Sequence, residues 1–253
     1  MSGNDSNISA WPANLPPMPE VDFTQFGEVE RAELSRHQQY AGAFLGRNWA
    51  HIPHVTHNDE APTEKLNAFR RAYGAEIGCK LTPLPFLIKA LVNSLKEFPI
   101  FNASLATGGK QVVLKKYYHV GIAVETEKGL LVPVIRDADR KTVADLQNEL
   151  NEKAMKARTK GLPINEMSGG CMTISSLGSI GGTSFTPIIN APELAILGIT
   201  REFERLVMEE DEIVTRRFIP LSLSYDHRVI NGADAARFCR FFADQLVQPE
   251  LLI

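Results

Sequence analysis

The densest run of reactive side chains in the 253-residue chain is Asp226-His227-Arg228-Val229-Ile230-Asn231-Gly232, preceded by Leu221-Ser222-Leu223-Ser224-Tyr225. Strand alternation sets Leu221, Leu223, Tyr225 and His227 on one face and Ser222, Ser224 and Asp226 on the other. His227 thus arrives at a strand end beside apolar side chains, and Asn231-Gly232 marks a turn into a final helix. An imidazole titrates near neutrality, at ~6.5 in model peptides, which suits a general base. Asp226 points away from His227, so no adjacent Asp-His pair of the triad kind is expected. On spacing alone a buried, satisfied histidine is preferred to a catalytic one, because a single histidine carries little information.

Other reactive patterns are excluded one by one. His51, His54 and His57 recur every third residue, but Pro53 disfavours a helix there. Along an extended segment, residues three apart face opposite ways, so the three are read as solvated or packed and no metal is expected. Gly169-Gly170, Gly178 and Gly181-Gly182 do not match G-x-G-x-x-G, and Gly108-Gly109-Lys110 lacks the upstream glycine of a phosphate-binding loop. No tightly bound nucleotide is therefore predicted, and G-x-S-x-G is absent as well. Cys79, Cys171 and Cys239 lie far apart with no C-x-x-C, which fits a reducing compartment: cytoplasm, or the mitochondrial matrix for a mature eukaryotic chain. The N-terminal Met1-Ser2-Gly3-Asn4-Asp5-Ser6 has no signal-peptide character, so the Asn-x-Ser triplets at Asn4, Asn7 and Asn102 are given no meaning.

Positioning such residues requires a folded body, and the composition supplies one. The chain is 44% hydrophobic and 23% charged, with Lys+Arg 27 against Asp+Glu 30 and a formal charge of −3. Disorder is excluded by this balance, and neither nucleic acid nor membrane is an expected partner. The longest apolar run, Leu81 to Leu95, is interrupted by Pro83, Pro85 and Lys89. Residues 1–20, with Pro12, Pro16, Pro17 and Pro19, read as a flexible linker or arm, and 21–253 as one domain. Helical periodicity covers roughly 34–49, 83–97, 142–158 and 233–247. Strand-like runs are Val112–Leu114, His119–Val124, Leu130–Ile135, Cys171–Ser175, Leu194–Thr200 and Pro220–Tyr225, with a hairpin turn at Thr126-Glu127-Lys128-Gly129. The order lacks strict strand-helix alternation, which predicts an α+β sandwich over a doubly wound fold.

The segment Asp226-His227-Arg228-Val229-Ile230-Asn231-Gly232 resembles the D-H-R-x-x-D/N-G signature of the 2-oxo acid dehydrogenase acyltransferase catalytic domains. Further blocks resemble the family in the same order. They are Pro53-His54-Val55-Thr56, Phe101-Asn102-Ala103-Ser104, Gly121-Ile122-Ala123-Val124 with Gly129-Leu130-Leu131-Val132-Pro133-Val134-Ile135, Thr173-Ile174-Ser175-Ser176-Leu177-Gly178, and Phe185-Thr186-Pro187-Ile188-Ile189-Asn190-Ala191-Pro192-Glu193. The resemblance runs from about Pro16 to Ile253 and is greatest to the acetyltransferase branch of pyruvate dehydrogenase complexes. It implies a chloramphenicol-acetyltransferase-like fold, a mixed sheet packed on helices, trimeric, with each active site at a subunit interface.

By the same resemblance, His227 is the base, Ser175 the hydroxyl that meets charge on a carbonyl oxygen, and Asn231 the amide that holds the loop. The substrates implied are coenzyme A and a lipoyl group, with transfer of an acyl group, expected to be acetyl. No lipoyl domain precedes residue 21, so the expectation is an excised core or a chain served by lipoyl domains carried elsewhere. Homotrimers alone and trimers built into a larger shell both fit, the latter through Leu251-Leu252-Ile253. Two alternatives stand beside this reading: a non-catalytic structural core subunit, and a free-standing acetyltransferase of small alcohols or amines. Lys115, Lys116, Arg136, Lys156, Arg158 and Lys160 are candidates for coenzyme A phosphate contacts. Residues 57–64 and the helix after Phe69 depart from the family pattern.

Overall fold

The computed structural model describes residues 19–127 and 129–253, so most of the proline-rich arm and Lys128 of the hairpin turn lie outside the described residues. Residues 19–35 are exposed and irregular apart from one 3-10 turn at Phe23–Gln25. Helix α1 (Arg36–His51) then starts at Ser35, whose hydroxyl accepts from the Gln38 N–H while the Gln38 side chain returns to the Ser35 N–H. It touches the rest of the fold near its C-terminal end, where Asn48 donates to the Ile189 carbonyl at 3.0 Å. Asn48 is its one buried residue, and Tyr40, Leu45 and Trp49 are exposed.

The remaining helices are α2 (Glu64–Glu76), α3 (Leu84–Glu97), α4 (Val143–Thr159), the short α5 (Ile164–Met167) and α6 (Gly232–Gln245). The strands are β1 (His54–Pro62), β2 (Ala103–Leu105), β3 (Val112–Leu114), β4 (Val120–Ile122), β5 (Val124–Thr126), β6 (Gly129–Leu131), β7 (Val134–Ile135), β8 (Met172–Ser176), β9 (Ala195–Ile199), β10 (Phe203–Glu209) and β11 (Glu212–Asp226). The main sheet runs β1-β11-β9-β8-β4-β7, with β10 paired to the first half of β11, and β2-β3 and β5-β6 form separate ribbons. Only the pairs flanking β8 are parallel. This mixed sheet with helices is the α+β arrangement expected from the chain.

One face of the sheet packs on the helices. Leu221, Leu223 and Tyr225 of β11, Leu197 of β9 and Ile174 of β8 meet Phe86, Leu91, Leu95, Leu146, Phe238 and Phe242 in a single apolar cluster, with Phe101 stacked on Phe238 at 4.2 Å between ring centroids. The spacing of apolar residues along α3 and α6 therefore turned the same way in the structure as in the sequence. The opposite face is polar and also largely covered. Ser224 and Thr56 share a hydroxyl hydrogen bond of 2.8 Å, Ser222 donates to Asn58 at 2.8 Å, and Ser222 also accepts the Phe185 N–H. Ile52, Ile189 and Ile196 make a small second cluster on this side.

Several elements depart from the sequence reading. β1 occupies the histidine-rich stretch and pairs along its whole length with β11, His54 opposite Asp226 and Pro62 opposite Phe218. Its alternation was hidden because a sheet polar on one side and edged by solvent leaves few apolar residues to count. β10 and the first half of β11 form a projecting ribbon whose charged positions gave no alternating signal. The helix expected after Phe69 is α2, which already begins at Glu64. The single run read over His119–Val124 breaks at Ala123, and that over Leu130–Ile135 breaks at Pro133, which has no N–H for a ladder. The C-terminal residues split: Leu252 is buried against its own core, while Leu251 and Ile253 are 68% and 55% exposed.

A glycine is required in β9. A Cβ on Gly198 would stand 2.7 Å from the Phe185 ring and 3.2 Å from the Ser222 carbonyl oxygen. Gly198→Ala is expected to cost about 1–3 kcal/mol through this overpacking. A thermal melt checks it, and an unchanged melting temperature would mean that Phe185 is free to move aside.

Candidate functional site

His227 stands on a loop fixed by backbone and by one buried carboxylate. Asp226 ends β11, donates its N–H to the Leu194 carbonyl, and accepts on its own carbonyl the N–H groups of Val229 and Ile230. Its side chain, 1% exposed, receives the Arg228 Nε at 2.9 Å, the Arg228 Nη2 at 2.6 Å and the Arg228 backbone N–H at 3.0 Å. Asp226 therefore bonds Arg228 and not His227, as strand alternation predicted. The His227 N–H reaches the Pro53 carbonyl at 3.1 Å, and its ring lies 5.8 Å from that of Tyr225. The strand ends one residue before His227, so its side chain leaves the apolar face and is exposed. Among the described residues no group hydrogen-bonds the imidazole. This overturns the buried, satisfied histidine that spacing alone favoured.

Asn231 is the N-cap of α6. Its Oδ1 accepts the Asp234 N–H at 2.9 Å and its Nδ2 donates to the Asp234 carboxylate at 2.7 Å, so the loop carrying His227 is joined firmly to the helix.

Ser175 lies elsewhere on the same sheet. It is half-buried near the end of β8, and no group among the described residues hydrogen-bonds its hydroxyl. Its neighbours on that face are paired, whereas Ser176 is exposed and accepts the Gly178 N–H at 3.5 Å. Ser175 opens onto a cleft of about 610 Å³ lined by Leu84, Ile122, Leu150, Lys153, Arg158 and Ile180 among others. Of the basic residues singled out in the sequence, Arg158 lines this cleft. Lys115 is instead turned inward to the Gly170 carbonyl, Arg136 donates to the carbonyls of Asn165 and Ser168, and Lys156 is paired with Glu166.

The structure thus brings His227 and Asn231 together and holds Ser175 apart from both. Ser175 is level with Gly198 of β9, and Gly198 with Ser222 of β11. From Ser222 to His227 the chain advances five residues, roughly 17 Å at ~3.3 Å each, and two strand spacings add ~10 Å sideways. No single carbonyl group can touch both side chains of one chain.

A group that the sequence did not mark lies beneath Ser175. Glu193, 4% exposed, accepts the Thr173 hydroxyl at 2.9 Å and the Asn190 amide at 3.2 Å on one carboxyl oxygen, and no group among the described residues reaches the other. Burial raises its pKa from an ordinary 4.5 to about 7, opposed by the Thr173 hydrogen bond and the Lys115 ammonium. Burial also lowers Lys115 and raises the Cys171 thiol beside it. The three histidines do not converge. The His54 ring donates Nδ1–H to the Ile52 carbonyl at 2.8 Å and accepts the Ile189 N–H on Nε2 at 3.0 Å, while His51 turns back to Arg47. Among the described residues no three His, Cys, Asp or Glu side chains are placed to hold a metal ion, and no helix is long and apolar enough to cross a membrane.

Comparison with known proteins places this geometry among relatives. The family model described as 2-oxoacid dehydrogenases acyltransferase (catalytic domain) matches residues 26–253. The chain is 50% identical over 244 residues to the dihydrolipoyllysine-residue acetyltransferase component of the pyruvate dehydrogenase complex of Pseudomonas aeruginosa, covering 95% of this chain and 45% of that protein. With the corresponding protein of Cupriavidus necator it shares 52% identity, covering 92% of this chain and 42% of that protein. It spans less than half the length of these curated relatives. A solved structure of the Azotobacter vinelandii dihydrolipoamide acetyltransferase matches with a TM-score of 0.91 at 48% identity, covering 94% of this chain and 99% of the other. That work concerned the role of a serine, a histidine and an asparagine in its catalytic mechanism. A cubic core of a pyruvate dehydrogenase multienzyme complex also matches at 0.91, with 49% identity, covering 94% of this chain and 99% of the other. Chloramphenicol acetyltransferase shares the fold, with a TM-score of 0.51 at 15% identity over 84% of this chain and 95% of the other.

Two outcomes are expected here. Asn231→Asp keeps a capping oxygen and is mild, whereas Asn231→Leu loses about 0.5–2 kcal/mol and loosens the His227 loop, both read in thermal melts. For Glu193, a folded-state pKa raised above the unfolded one stabilises the fold fully below about pH 4.5, and this contribution is lost as pH rises through about 7. The melting temperature of Glu193→Gln relative to wild type should therefore rise over that window, and a constant difference would mean that the carboxyl titrates normally.

Proposed function

Given that the chain belongs to the 2-oxoacid dehydrogenase acyltransferase (catalytic domain) family, we propose that it transfers an acetyl group between dihydrolipoamide and coenzyme A at a site shared by two copies of the chain. The observation that carries this reading is the separation of its two unengaged groups. The His227 imidazole and the Ser175 hydroxyl have no hydrogen-bond partner among the described residues, yet the sheet register keeps them about a strand length apart. A second copy must bring the Ser175 cleft of one subunit to the His227 loop of the next. Exposed Phe23, Phe26, Tyr40, Leu45 and Trp49, on residues 19–35 and α1, supply apolar surface for such packing. A closed trimer satisfies every such interface at once.

In this site His227 takes the proton of a thiol as the sulfur attacks the thioester carbonyl of the other substrate. The carbonyl electron pair moves to oxygen, and the Ser175 hydroxyl donates a hydrogen bond to that oxyanion. Collapse re-forms the carbonyl and expels the second sulfur as a thiolate, which recovers the proton from His227. Asn231 and the Asp226–Arg228 pair keep the imidazole aimed. Support for the three residues comes also from the Azotobacter vinelandii enzyme, whose serine, histidine and asparagine have the same relative spacing along the chain as Ser175, His227 and Asn231.

The lipoyl group would arrive on a domain outside the described fold, and the cleft with Arg158 offers coenzyme A a basic approach to Ser175. By analogy with the cubic core, the exposed Leu251 and Ile253 would meet the same residues of a neighbouring trimer across a two-fold axis. A reducing interior, cytoplasmic or mitochondrial, fits three free cysteines.

The test is a transfer assay with acetyl-CoA and dihydrolipoamide. His227→Ala should lower kcat by about 10²–10⁴, and Ser175→Ala by about 10²–10³ with KM little changed. Near wild-type kcat in the His227 variant would leave only a structural role, and a preference for small alcohols or amines would point to a free-standing acetyltransferase. Separately, Leu251→Ser with Ile253→Ser, which spares the buried Leu252, should leave active trimers and dissolve larger particles. Light scattering that finds the wild type already a plain trimer would end the shell reading.

A further inference from the structure

Strand β8 carries Ser175 at one end and is pinned at the other by groups that the acyl-transfer mechanism does not use. Thr173 is two residues before Ser175 and on the same face of the strand, and its hydroxyl donates to Glu193 at 2.9 Å. Asn190 donates to the same carboxyl oxygen at 3.2 Å and lies 3.5 Å from the Thr173 hydroxyl. Just before the strand, the Lys115 ammonium donates to the Gly170 carbonyl at 3.2 Å. Gly170 itself leaves the room that this carboxyl group fills, since a Cβ there would stand 2.7 Å from the bonded oxygen of Glu193. The second oxygen of Glu193 is buried with no partner among the described residues.

We propose that Glu193 is a positioning residue for acyl transfer, holding β8 through Thr173 so that the Ser175 hydroxyl meets the oxyanion, and that loss of its proton loosens this hold. The proposal rests on the assignment of Ser175 as the oxyanion donor. Its physical basis is that a neutral carboxyl group tolerates one unpaired buried oxygen far better than a carboxylate does. The charged and titratable groups that face Glu193 are the Lys115 ammonium and the Cys171 thiol. Of these, Lys115 is the one able to compensate a negative charge. Its ammonium carries three N–H donors, so a shift toward a Glu193 carboxylate also pulls on the Gly170 carbonyl, and ionisation disturbs both anchors of the strand together. A displacement of the donor is felt in the transition state, where the oxyanion exists, and far less in substrate binding.

The test is the pH dependence of kcat and KM for the assembled enzyme, four single variants and two double variants. In the wild type, kcat should rise as the base deprotonates and then fall as Glu193 ionises, giving a bell whose alkaline limb is absent in Glu193→Gln, which stays neutral at every pH. Thr173→Val should lower kcat about tenfold with KM unchanged, within the 10²-fold that a 1 Å misplacement can cost, and Thr173→Ser should restore it. In a Ser175→Ala background, neither Glu193→Gln nor Thr173→Val should change kcat further. Normal kcat in Thr173→Val, an alkaline limb that persists in Glu193→Gln, or fully additive losses in the double variants would each overturn the role of Glu193 and leave Ser175 as the donor. Unimpaired kcat in Ser175→Ala alone would instead remove the donor assignment, and the proposal with it.

Discussion

The register of β11 on β9 and of β9 on β8 is the constraint from which the rest follows. Ser222 opposite Gly198, and Gly198 level with Ser175, put the end of β8 at the middle of β11, whose last residue delivers the His227 loop to the far edge. A slip of one residue would turn Leu221, Leu223 and Tyr225 out of the helix-packed face and bring Ser222 and Ser224 into it. The apolar core therefore fixes the register, and the register fixes the distance between the two reactive groups. On the proposed chemistry, a chain folded this way does not complete its own site, and the catalytic unit would be an assembly.

The polar face of the sheet shows how the site is distinguished from its surroundings. Several polar side chains there are paired with one another: Thr56 with Ser224, Asn58 with Ser222, Thr173 with one oxygen of Glu193. Pairing is what burial demands, since an unsatisfied polar group costs about 1–3 kcal/mol. Ser175, half-buried near the end of β8, and His227, exposed just past the end of β11, stand outside this network. Among the described residues no group takes up their hydrogen-bonding capacity, and Arg228, Asn231 and Asp234 hold the loop without touching the imidazole ring.

Much of this was legible in the sequence where periodicity and packing agree. α3, α4 and α6 each present a broad apolar stripe to the sheet, and the strand leading to His227 alternates cleanly because its two faces meet different environments. Legibility failed where a residue's surroundings come from distant parts of the chain. β1 is an edge strand bearing four charged or imidazole side chains, His54, His57, Asp59 and Glu60, and only its pairing with β11 makes it a strand. His227 looked buried because alternation was carried one residue too far, past the end of β11. Glu193 gave no signal at all: nothing in Ala191-Pro192-Glu193 reports that Thr173, Asn190 and Lys115 close around it. The family signature pointed to Ser175 and His227, and the register shows how far apart one chain holds them.

The measurement that bears most directly on this account is complementation between two inactive variants. His227→Ala and Ser175→Ala chains, coexpressed with different tags and purified as mixed assemblies, combine at random. A site that takes its histidine from one chain and its serine from a neighbour is then intact at one of the three interfaces of every mixed closed trimer, about a third of sites, whatever the order of copies around the ring. The account predicts that mixed assemblies recover activity near that fraction of wild type, far above either variant alone. Mixed assemblies no more active than the two separate variants would mean that each chain holds a complete site, and the shared active site would be contradicted.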